Sequence, residues 1–281
     1  MGDVRDRVIG PRTSSFGPGA RSGELIGYFG HHKCATQWMK GLARGIGAAV
    51  GRTVHRYSHA RGFGFDLAAI PDPGSTIVCY TNADVRYVAG VENLRGWHMV
   101  RDPRDIVVSS YFSYLHSHPA EVYGGADAAS RPRSLRGLEE YREKLRGVSQ
   151  REGLMLELQQ RATQFHAMAQ WNYHHARILE VRMEEATADP VSSLREITSF
   201  VRLYGVNDLD DERLAEIAAA NDFPAYAGGR APGEEDPTSH YRKGVSGDWK
   251  VHFEPEHVDY FKQHYNDLLI QLGYEVSRDW G

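Results

Sequence analysis

Cysteine is scarce in this chain of 281 residues, which contains only Cys34 and Cys79. Two cysteines cannot build the disulfide framework of a small secreted domain, and such scarcity is typical of proteins from a reducing compartment. The sequence also lacks a run of eighteen apolar residues, so it contains no candidate transmembrane helix. Charged residues interrupt residues 1–23, where a signal peptide would need an apolar core. We therefore expect a cytoplasmic protein without a membrane anchor.

The chain also lacks an excess of basic charge. It has 33 basic and 37 acidic residues, a formal net charge of −4, and so has no overall positive field of the kind that attracts nucleic acid. We expect no nucleic-acid partner, and any anion site must be local. Few of the basic residues are lysines, namely Lys33, Lys40, Lys144, Lys243, Lys250 and Lys262.

A strand, a short loop with one lysine and a helix are predicted between Glu24 and Val50. Residues 25–29 are apolar and predict the strand. Apolar residues then recur every four positions on one face of the helix, at Trp38, Leu42 and Ile46. A helix N-terminus offers unpaired N–H groups and a positive dipole end, to which Lys33 adds a charge and Thr36 a hydroxyl. This combination predicts an anion-binding cradle, although an ordinary strand-to-helix turn with a surface lysine has the same local pattern.

Two later segments bear on this choice. Residues 100–109 read VRDPRDIVVS and predict a strand that runs into a helix, and residues 241–253 read YRKGVSGDWKVHF. Taken in order with the lysine loop, these segments resemble the sulfotransferases that depend on 3′-phosphoadenosine 5′-phosphosulfate (PAPS). The last segment is the most specific, because RKGxxGDWKxxF is long and has no general structural reason to recur. The resemblance extends from about Glu24 to Gly273.

This resemblance implies transfer of a sulfuryl group from PAPS to a hydroxyl, or an amine, of a small molecule, with release of PAP and without a metal. It implies a 5′-phosphosulfate site at Lys33, Cys34, Ala35, Thr36 and Gln37. It implies a 3′-phosphate site at Arg101, Ser109, Arg242, Lys243 and Gly244. The family stacks adenine between two aromatic rings, which correspond here to Trp38 and Phe223, although both could equally be core residues. Lys33 is the expected catalytic cation, because its ammonium can stabilise the charge that develops on the leaving oxygen.

The resemblance does not supply the general base. Many cytosolic members have Lys-x-His about twenty-two residues before the position of Arg101, where this chain reads CYTN at residues 79–82. Other branches place a glutamate after the second strand, and His55 occurs at the end of the second predicted strand here. We therefore expect His55 to be the base, with His59 and Asp84 as alternatives.

The predicted elements indicate an α/β fold. Strand patterns at 25–29, 52–57, 75–80, 97–100 and 178–182 alternate with helical ones, which predicts a P-loop-like parallel sheet with helices on both faces. Binding groups then fall at the carboxyl ends of strands. We expect a flexible tail at 1–23, a single domain at 24–281, and two candidate lid loops at 117–136 and 222–240. Helices are expected at 103–114, 154–176, 190–204, 210–220 and 255–272.

Three other readings share parts of the pattern. A P-loop kinase of nucleosides or small molecules would share the strand, loop and helix, but its Gly-x-x-x-x-Gly-Lys-Ser/Thr motif is absent, since His32 precedes Lys33 and Cys34 follows it. A catalytically silent module that binds PAP or PAPS would explain the missing histidine. A metal site could use residues 116–118 or 174–175, but these histidine pairs lack carboxylates or thiolates at ligand spacing, and we expect no metal.

Aromatic residues flank the expected acceptor side, at Phe63, Phe65, Tyr80, Tyr111, Phe112 and Tyr114. They favour an apolar or aromatic hydroxyl as the acceptor, although aromatic residues there could also build the core. The sequence does not specify the acceptor, and it leaves a homo-oligomer open.

Overall fold

Five parallel strands form one sheet in the computed structural model, which describes residues 23–118 and 131–281. The strands are β1 (Leu25–Gly30), β2 (Thr53–Tyr57), β3 (Thr76–Tyr80), β4 (Leu94–Val100) and β5 (Ile178–Arg182). Their order in the sheet is β2-β3-β1-β4-β5, and each neighbouring pair is parallel. The expected α/β architecture, a parallel sheet flanked by helices, is confirmed.

The helices follow the strands in the chain. They are α1 (Thr36–Val50), α2 (Pro103–Phe112), α3 (Arg131–Arg146), α4 (Gln150–Gln160), α5 (Ala162–Ala169), α6 (Met183–Ala188), α7 (Pro190–Phe200), α8 (Asp211–Ala219), α9 (Phe223–Tyr226), α10 (Trp249–His252) and α11 (Pro255–Gln271). A single π-helical turn, Ser113–Ser117, continues α2. The remaining connections are loops and short 3-10 turns.

Burial along each strand follows its place in the sheet. Strands β1 and β3 are buried over their whole length, because both lie inside the sheet and consist almost entirely of apolar residues. Strand β2 forms one edge, and its residues Thr53, His55 and Arg56 are exposed. The central position therefore belongs to β1, the strand that leads into the lysine loop.

The described residues divide into two compact units. The first contains the sheet and comprises the chain up to Arg101, Gln164–Asp222 and Asp267–Ser277. The second comprises Asp102–Thr163, Phe223–Asn266 and Arg278–Gly281. That residues 24–281 act as one domain stays a prediction.

Helix α1 packs on the sheet of the first unit through a row of apolar residues that differs from the expected row at one position. Met39, Leu42 and Ile46 are at most 1% exposed, whereas Trp38 is only half-buried. Gly47 allows the close approach, since a Cβ there would lie 2.7 Å from Val54 Cγ2. The apolar face was therefore predicted correctly, but it uses Met39 where Trp38 was expected.

A tryptophan pair organises part of the second unit. The Arg104 guanidinium lies 4.0 Å from the ring centre of Trp249 and 4.6 Å from that of Trp280. The same guanidinium forms an ion pair with Asp102 at 2.8 Å. Cation–π contacts of a buried arginine stabilise by about 1–2 kcal/mol each, so Arg104 helps to fix α10 against the start of α2.

Several expected boundaries were wrong. Residues 154–176 were predicted as one helix but belong to α4 and α5, which are separated at Arg161, and the chain then turns before β5. Helix α4 starts earlier, because Ser149 and Glu152 form a capping box whose Ser-x-x-Glu pattern was overlooked. Residues 131–136, predicted as loop, begin α3. The predicted tail up to residue 22 and residues 119–130 of the first candidate lid lie outside the described residues.

Candidate functional site

The Lys33 loop, defined as residues 30–35, follows β1 in the middle of the sheet. Open α/β sheets bind ligands outside the carboxyl ends of strands, where the strand order changes direction, as it does around β1. Two residues of the loop have left-handed backbones, Lys33 with φ 66° and Ala35 with φ 50°. Left-handed residues that alternate with ordinary ones turn neighbouring N–H groups toward one side, which forms an anion-binding concavity. The loop therefore has the backbone of a phosphate-binding turn.

Two carbonyl groups of the Lys33 loop accept hydrogen bonds from side chains distant in sequence. Gln164 Nε2 donates to the His32 carbonyl at 2.8 Å, and Arg101 Nη1 donates to the Lys33 carbonyl at 3.1 Å. A carbonyl oxygen that is already held by a protein donor is not available to repel an anion. These bonds therefore stabilise the loop in a form that can present its N–H groups to a ligand.

Helix α1 begins at Thr36, directly after the loop. The first N–H groups of a helix have no intrahelical partner and carry the positive end of the dipole. Ala35 occupies the N-cap position, and its methyl group cannot accept a hydrogen bond from these donors. The N-terminal turn of α1 thus offers a set of donors directly after the Lys33 loop, which suits a phosphate or sulfate group.

The left-handed conformation of Ala35 leads to a stability prediction. A residue with a Cβ pays about 1–2 kcal/mol in this region, whereas glycine adopts it without penalty. We expect Ala35→Gly to raise the free energy of unfolding by about 0.5–1 kcal/mol in urea denaturation, after the larger unfolded-state entropy of glycine is subtracted. The matched control is Ala48→Gly, at an exposed position within α1, which should lower the free energy of unfolding by about 1 kcal/mol. Destabilisation by both substitutions would contradict the strain at Ala35.

Arg101 lies beside the Lys33 loop. It follows β4, whose Met99 is in register with Gly30 at the end of β1, so both segments leave neighbouring strands at the same edge. Arg101 is 9% exposed, and its Nε has no hydrogen-bond partner among the described residues. The structure therefore brings together two of the predicted binding residues, Lys33 and Arg101.

Cys34 does not have the features of a binding residue. Its side chain is fully buried, and burial raises the pKa of the thiol to about 12. Its backbone N–H donates to the His31 carbonyl at 3.1 Å, within the loop. The Cys34 thiol is therefore not accessible to a ligand, and a contribution of Cys34 to the phosphosulfate site stays a prediction. Gln37 is exposed on the first turn of α1, and Trp38 beside it is half-buried.

A buried polar cluster next to the Lys33 loop was not predicted. His98 Nδ1 lies 2.6 Å from Glu180 Oε2, and Trp171 Nε1 donates to Glu180 Oε1 at 2.9 Å. The His31 ring meets the His98 ring edge-on, with 4.9 Å between centroids. Burial lowers the pKa of His98 to about 3, so its imidazole is neutral and donates to the Glu180 carboxylate. This cluster supports the loop from the β5 side, and only the pairing of β4 with β5 reveals it, since its members are far apart in sequence.

In the second unit, residues 242–244, which we call the RKG segment, contact the ring of Phe223, one of the two predicted adenine-binding residues. A Cβ on Gly244, which has φ 68°, would lie 2.5 Å from a ring carbon of Phe223. Only glycine allows this approach. The Arg242 guanidinium lies 4.3 Å from the ring centre of Phe112, which is one helical turn from the half-exposed Ser109 on α2. The fold thus brings Phe223 next to the RKG segment. It also brings Arg242 close to the part of α2 that carries Ser109.

Two aspartates inside the motifs hold the segment that carries the predicted phosphate-binding cations, and the sequence analysis did not predict this role. The Asp105 carboxylate accepts hydrogen bonds from the backbone N–H of Gly247 at 2.6 Å and from that of Trp249 at 3.0 Å. Asp248 lies between these donors in the chain, and its carboxylate pairs with Lys243 at 2.7 Å. Asp105 therefore holds the turn that places Asp248 against the predicted phosphate ligands.

Comparison with known proteins gives the family. A family model described as a sulfotransferase domain matches residues 92–273. The chain belongs to the sulfotransferase family. The match includes the predicted 3′-phosphate residues but begins after the Lys33 loop. A search of the curated proteins found no match.

Solved structures with the same fold support this assignment. Mouse sulfotransferase SULT7A1 complexed with PAP is 20% identical, with 92% of this chain and 91% of that chain covered and a TM-score of 0.58. Retinol dehydratase in complex with androsterone and inactive cofactor PAP is 16% identical, with 87% and 80% covered and a TM-score of 0.50. Similarity at this level shows a common fold. The resemblance read from the three motifs is confirmed, and the chain is assigned as an enzyme, a PAPS-dependent sulfotransferase. The kinase reading is not supported.

Two further observations concern this sulfotransferase. Within residues 23–118 and 131–281, no helix combines the length and apolarity needed to cross a membrane. The same described ranges contain no group of three or more histidine, cysteine, aspartate or glutamate side chains arranged to hold a metal ion.

The structure corrects the basis on which His55 was predicted as the base of this sulfotransferase. His55 lies in the middle of β2 and not at its carboxyl end, and β3 separates β2 from β1. Val54 contacts α1, as its distance from Gly47 shows, so His55 points to the opposite face of the sheet. Its ring is stacked on Tyr57, with 6.4 Å between centroids. The prediction therefore placed His55 wrongly with respect to the Lys33 loop.

The two alternatives differ in their surroundings. His59 follows the carboxyl end of β2, where Asn82 Nδ2 donates to the Ser58 carbonyl at 2.9 Å. Partial burial, together with the charge of Arg61, lowers the pKa of His59. Asp84 instead forms an ion pair with Arg86, whose hydrogen bond lowers the pKa of Asp84 and makes it a weak base.

Proposed function

We propose that the Lys33 loop binds the 5′-phosphosulfate of PAPS and that Lys33 stabilises the charge on the leaving phosphate. The observation that carries this proposal is the loop backbone, in which Lys33 and Ala35 are left-handed and Arg101 holds a carbonyl. These features leave the first N–H groups of α1 for an anion. An ammonium aimed at the bridging oxygen would act most strongly in the transition state, when that oxygen becomes charged.

We further propose that Arg101 is a ligand of the 3′-phosphate of PAPS. Within the second unit, Ser109, Arg242, Lys243 and the Gly244 amide are proposed as 3′-phosphate ligands. Arginine donors match phosphate geometry, and charge-assisted hydrogen bonds are the strong ones. Trp38, in the first unit, and Phe223, in the second, stay the predicted adenine-stacking residues. Trp38 is half-buried at the start of α1 and Phe223 is half-buried at the start of α9, so part of each residue is accessible.

His59 is proposed as the general base in place of His55. A general base must be neutral and must lie where an acceptor hydroxyl can reach the donor sulfur. His59 follows the carboxyl end of β2, the edge of the sheet that also carries the Lys33 loop, and its lowered pKa keeps it neutral at pH 7. His55 lies in the middle of β2 and therefore does not meet the requirement of position.

Two histidine variants test this choice. We expect His59→Ala to lower kcat by about 10²–10⁴-fold with PAP affinity nearly unchanged, which is the contribution of general base catalysis. The matched control is His55→Ala, which should stay near wild-type activity. In the wild type, kcat should fall only below about pH 6.5, because a base of lowered pKa is protonated at a pH below the usual value for histidine. Full activity of His59→Ala with loss in His55→Ala would restore His55 as the base.

The acceptor is proposed to be a small apolar or aromatic hydroxyl. Aromatic residues lie at the carboxyl ends of β2 and β3, with Tyr57 and Phe63 at 5.5 Å, Phe63 and Tyr80 at 5.1 Å, and Phe65 and Tyr87 at 5.8 Å between ring centroids. Phe65 is 55% exposed, so it can contact a ligand. In the second unit, Tyr111, Phe112 and Tyr114 are buried.

The proposed function is tested with labelled PAPS and a panel of phenols, aliphatic alcohols, amines and sugars. Transfer to phenols or apolar alcohols in preference to sugars supports the proposal, and transfer only to sugars or amines contradicts the acceptor class. If no acceptor is sulfated, a rise of the melting temperature with PAP but not with ATP and Mg²⁺ would still support the nucleotide site.

A cytoplasmic location and a homo-oligomer stay predictions. Both cysteines are unpaired, as a reducing compartment would leave them.

A further inference from the structure

The two cations of the RKG segment are already paired with two carboxylates. Arg242 forms ion pairs with Glu235 and with Asp248. Lys243 Nζ lies 2.7 Å from Asp248 Oδ1 and 3.7 Å from Glu235 Oε2. We call these four side chains the RKG cluster. Its formal charges are two positive and two negative, so the cations proposed to bind the 3′-phosphate are neutralised within the protein.

Asp248 is a permanent member of the RKG cluster. Its side chain is 3% exposed, and Asp105 holds the backbone on both sides of it through Gly247 and Trp249. Burial alone would raise the pKa of Asp248, but hydrogen bonds from His252, Lys243 and Arg242 hold it well below its ordinary value. Asp248 is therefore an anion that orients both cations and cannot easily leave them.

Glu235 belongs to a different part of the structure. It lies in the loop between α9 and α10, and its side chain is 32% exposed. Two backbone bonds bring it to the cations, from the Gly233 N–H to the Lys243 carbonyl at 2.8 Å and from the Asp236 N–H to the Arg242 carbonyl at 2.9 Å. The loop backbone thus places the Glu235 carboxylate next to the two cations. The carboxylate is accessible to solvent and can move away from them.

We propose that Glu235 is an internal competitor of the nucleotide 3′-phosphate, so that PAPS must displace its carboxylate from Arg242 and Lys243. This inference rests on the proposed 3′-phosphate site. A 3′-phosphate brings about two negative charges, and with Glu235 in place the two cations would face about four. Like charges at hydrogen-bond distance repel strongly, and Glu235 is the more mobile of the two carboxylates. Glu235 then determines how strongly the enzyme favours nucleotides that carry a 3′-phosphate.

The test compares the binding of PAP with that of AMP, which lacks the 3′-phosphate, to the chain of 281 residues. Calorimetry should show that Glu235→Gln binds PAP about tenfold more tightly than the wild type, the effect of one partly buried ion pair. Displacement of PAP by AMP should give the same AMP affinity in both proteins. The matched control is Glu140→Gln, which removes the same charge from the exposed surface of α3 and should leave the ratio of the two affinities unchanged.

The outcomes separate this inference from the proposed function. Unchanged or weaker PAP binding in Glu235→Gln, with the wild-type melting temperature, overturns the inference, and equal tightening of PAP and AMP does the same. If Glu235→Gln does not fold, Glu235→Ala is measured under the same criteria. If wild-type protein does not bind PAP, or if Arg101→Ala and Lys243→Ala both bind it as tightly as wild type, the proposed 3′-phosphate site itself is wrong.

Discussion

Lys33→Met is expected to lower kcat by about 10²–10³-fold while PAP affinity changes by no more than about threefold. The ammonium of Lys33 is proposed to meet the bridging oxygen of PAPS, which becomes fully charged only as the S–O bond breaks. An interaction that strengthens in the transition state affects turnover more than ground-state binding. Methionine keeps most of the side-chain volume, so the loop retains its packing. The measurements are initial rates with labelled PAPS and calorimetry with PAP.

Lys40→Met is the matched control for this prediction. Lys40 lies on α1, shortly after the Lys33 loop in the chain, and is half-buried, so the substitution removes the same charge from a neighbouring position. It should leave kcat within about twofold, because only a charge at the reacting atoms acts mainly in the transition state. Near-normal turnover in Lys33→Met would show that Lys33 is an ordinary surface lysine, and equal loss in both variants would point to the overall field of the helix N-terminus.

Arg101→Ala is expected to weaken PAP binding by about 100-fold. A hydrogen bond to a charged group contributes about 1.5–3 kcal/mol, and each 1.4 kcal/mol corresponds to a factor of ten in affinity. Arg101 has two functions in the proposal, since it binds the 3′-phosphate and also holds the Lys33 carbonyl at 3.1 Å. The substitution should therefore also lower kcat, because the loop that places Lys33 loses a support. Calorimetry with PAP and single-turnover rates measure the two effects.

Two further variants complete this experiment. Arg101→Lys keeps the charge but loses the planar donor fork, so its PAP affinity should fall between those of wild type and Arg101→Ala. Arg195→Ala removes an arginine from an exposed ion pair with Asp211 and should not change PAP affinity. Lys243→Ala, in the other unit, should also weaken PAP binding. Unchanged affinity in both Arg101→Ala and Lys243→Ala would remove the basis for the 3′-phosphate assignment.

The sequence by itself determined the strands, the family and most of the cofactor candidates. Continuous apolar runs such as residues 25–29 and 76–80 are strands because a parallel sheet buries both of its faces. The RKGxxGDWKxxF segment identified the family because its length makes chance recurrence improbable. Lys33 was found because it lies between a predicted strand and a predicted helix, whereas Arg101 was found through the resemblance to the family.

The tertiary structure alone decided which of these residues meet and what holds them. The strand order places β3 between β1 and β2, and β2 holds His55 in its middle and not at its carboxyl end, where the sequence had placed it. Gln164 and the His32 carbonyl are 132 residues apart, and His98 and Glu180 are 82 apart. Hydrophobic periodicity reports only which face of an element is buried, whereas strand order and long-range hydrogen bonds depend on contacts between distant segments. The carboxylates that neutralise Arg242 and Lys243 are close to them in sequence, but only the folded loop brings the Glu235 side chain to these cations.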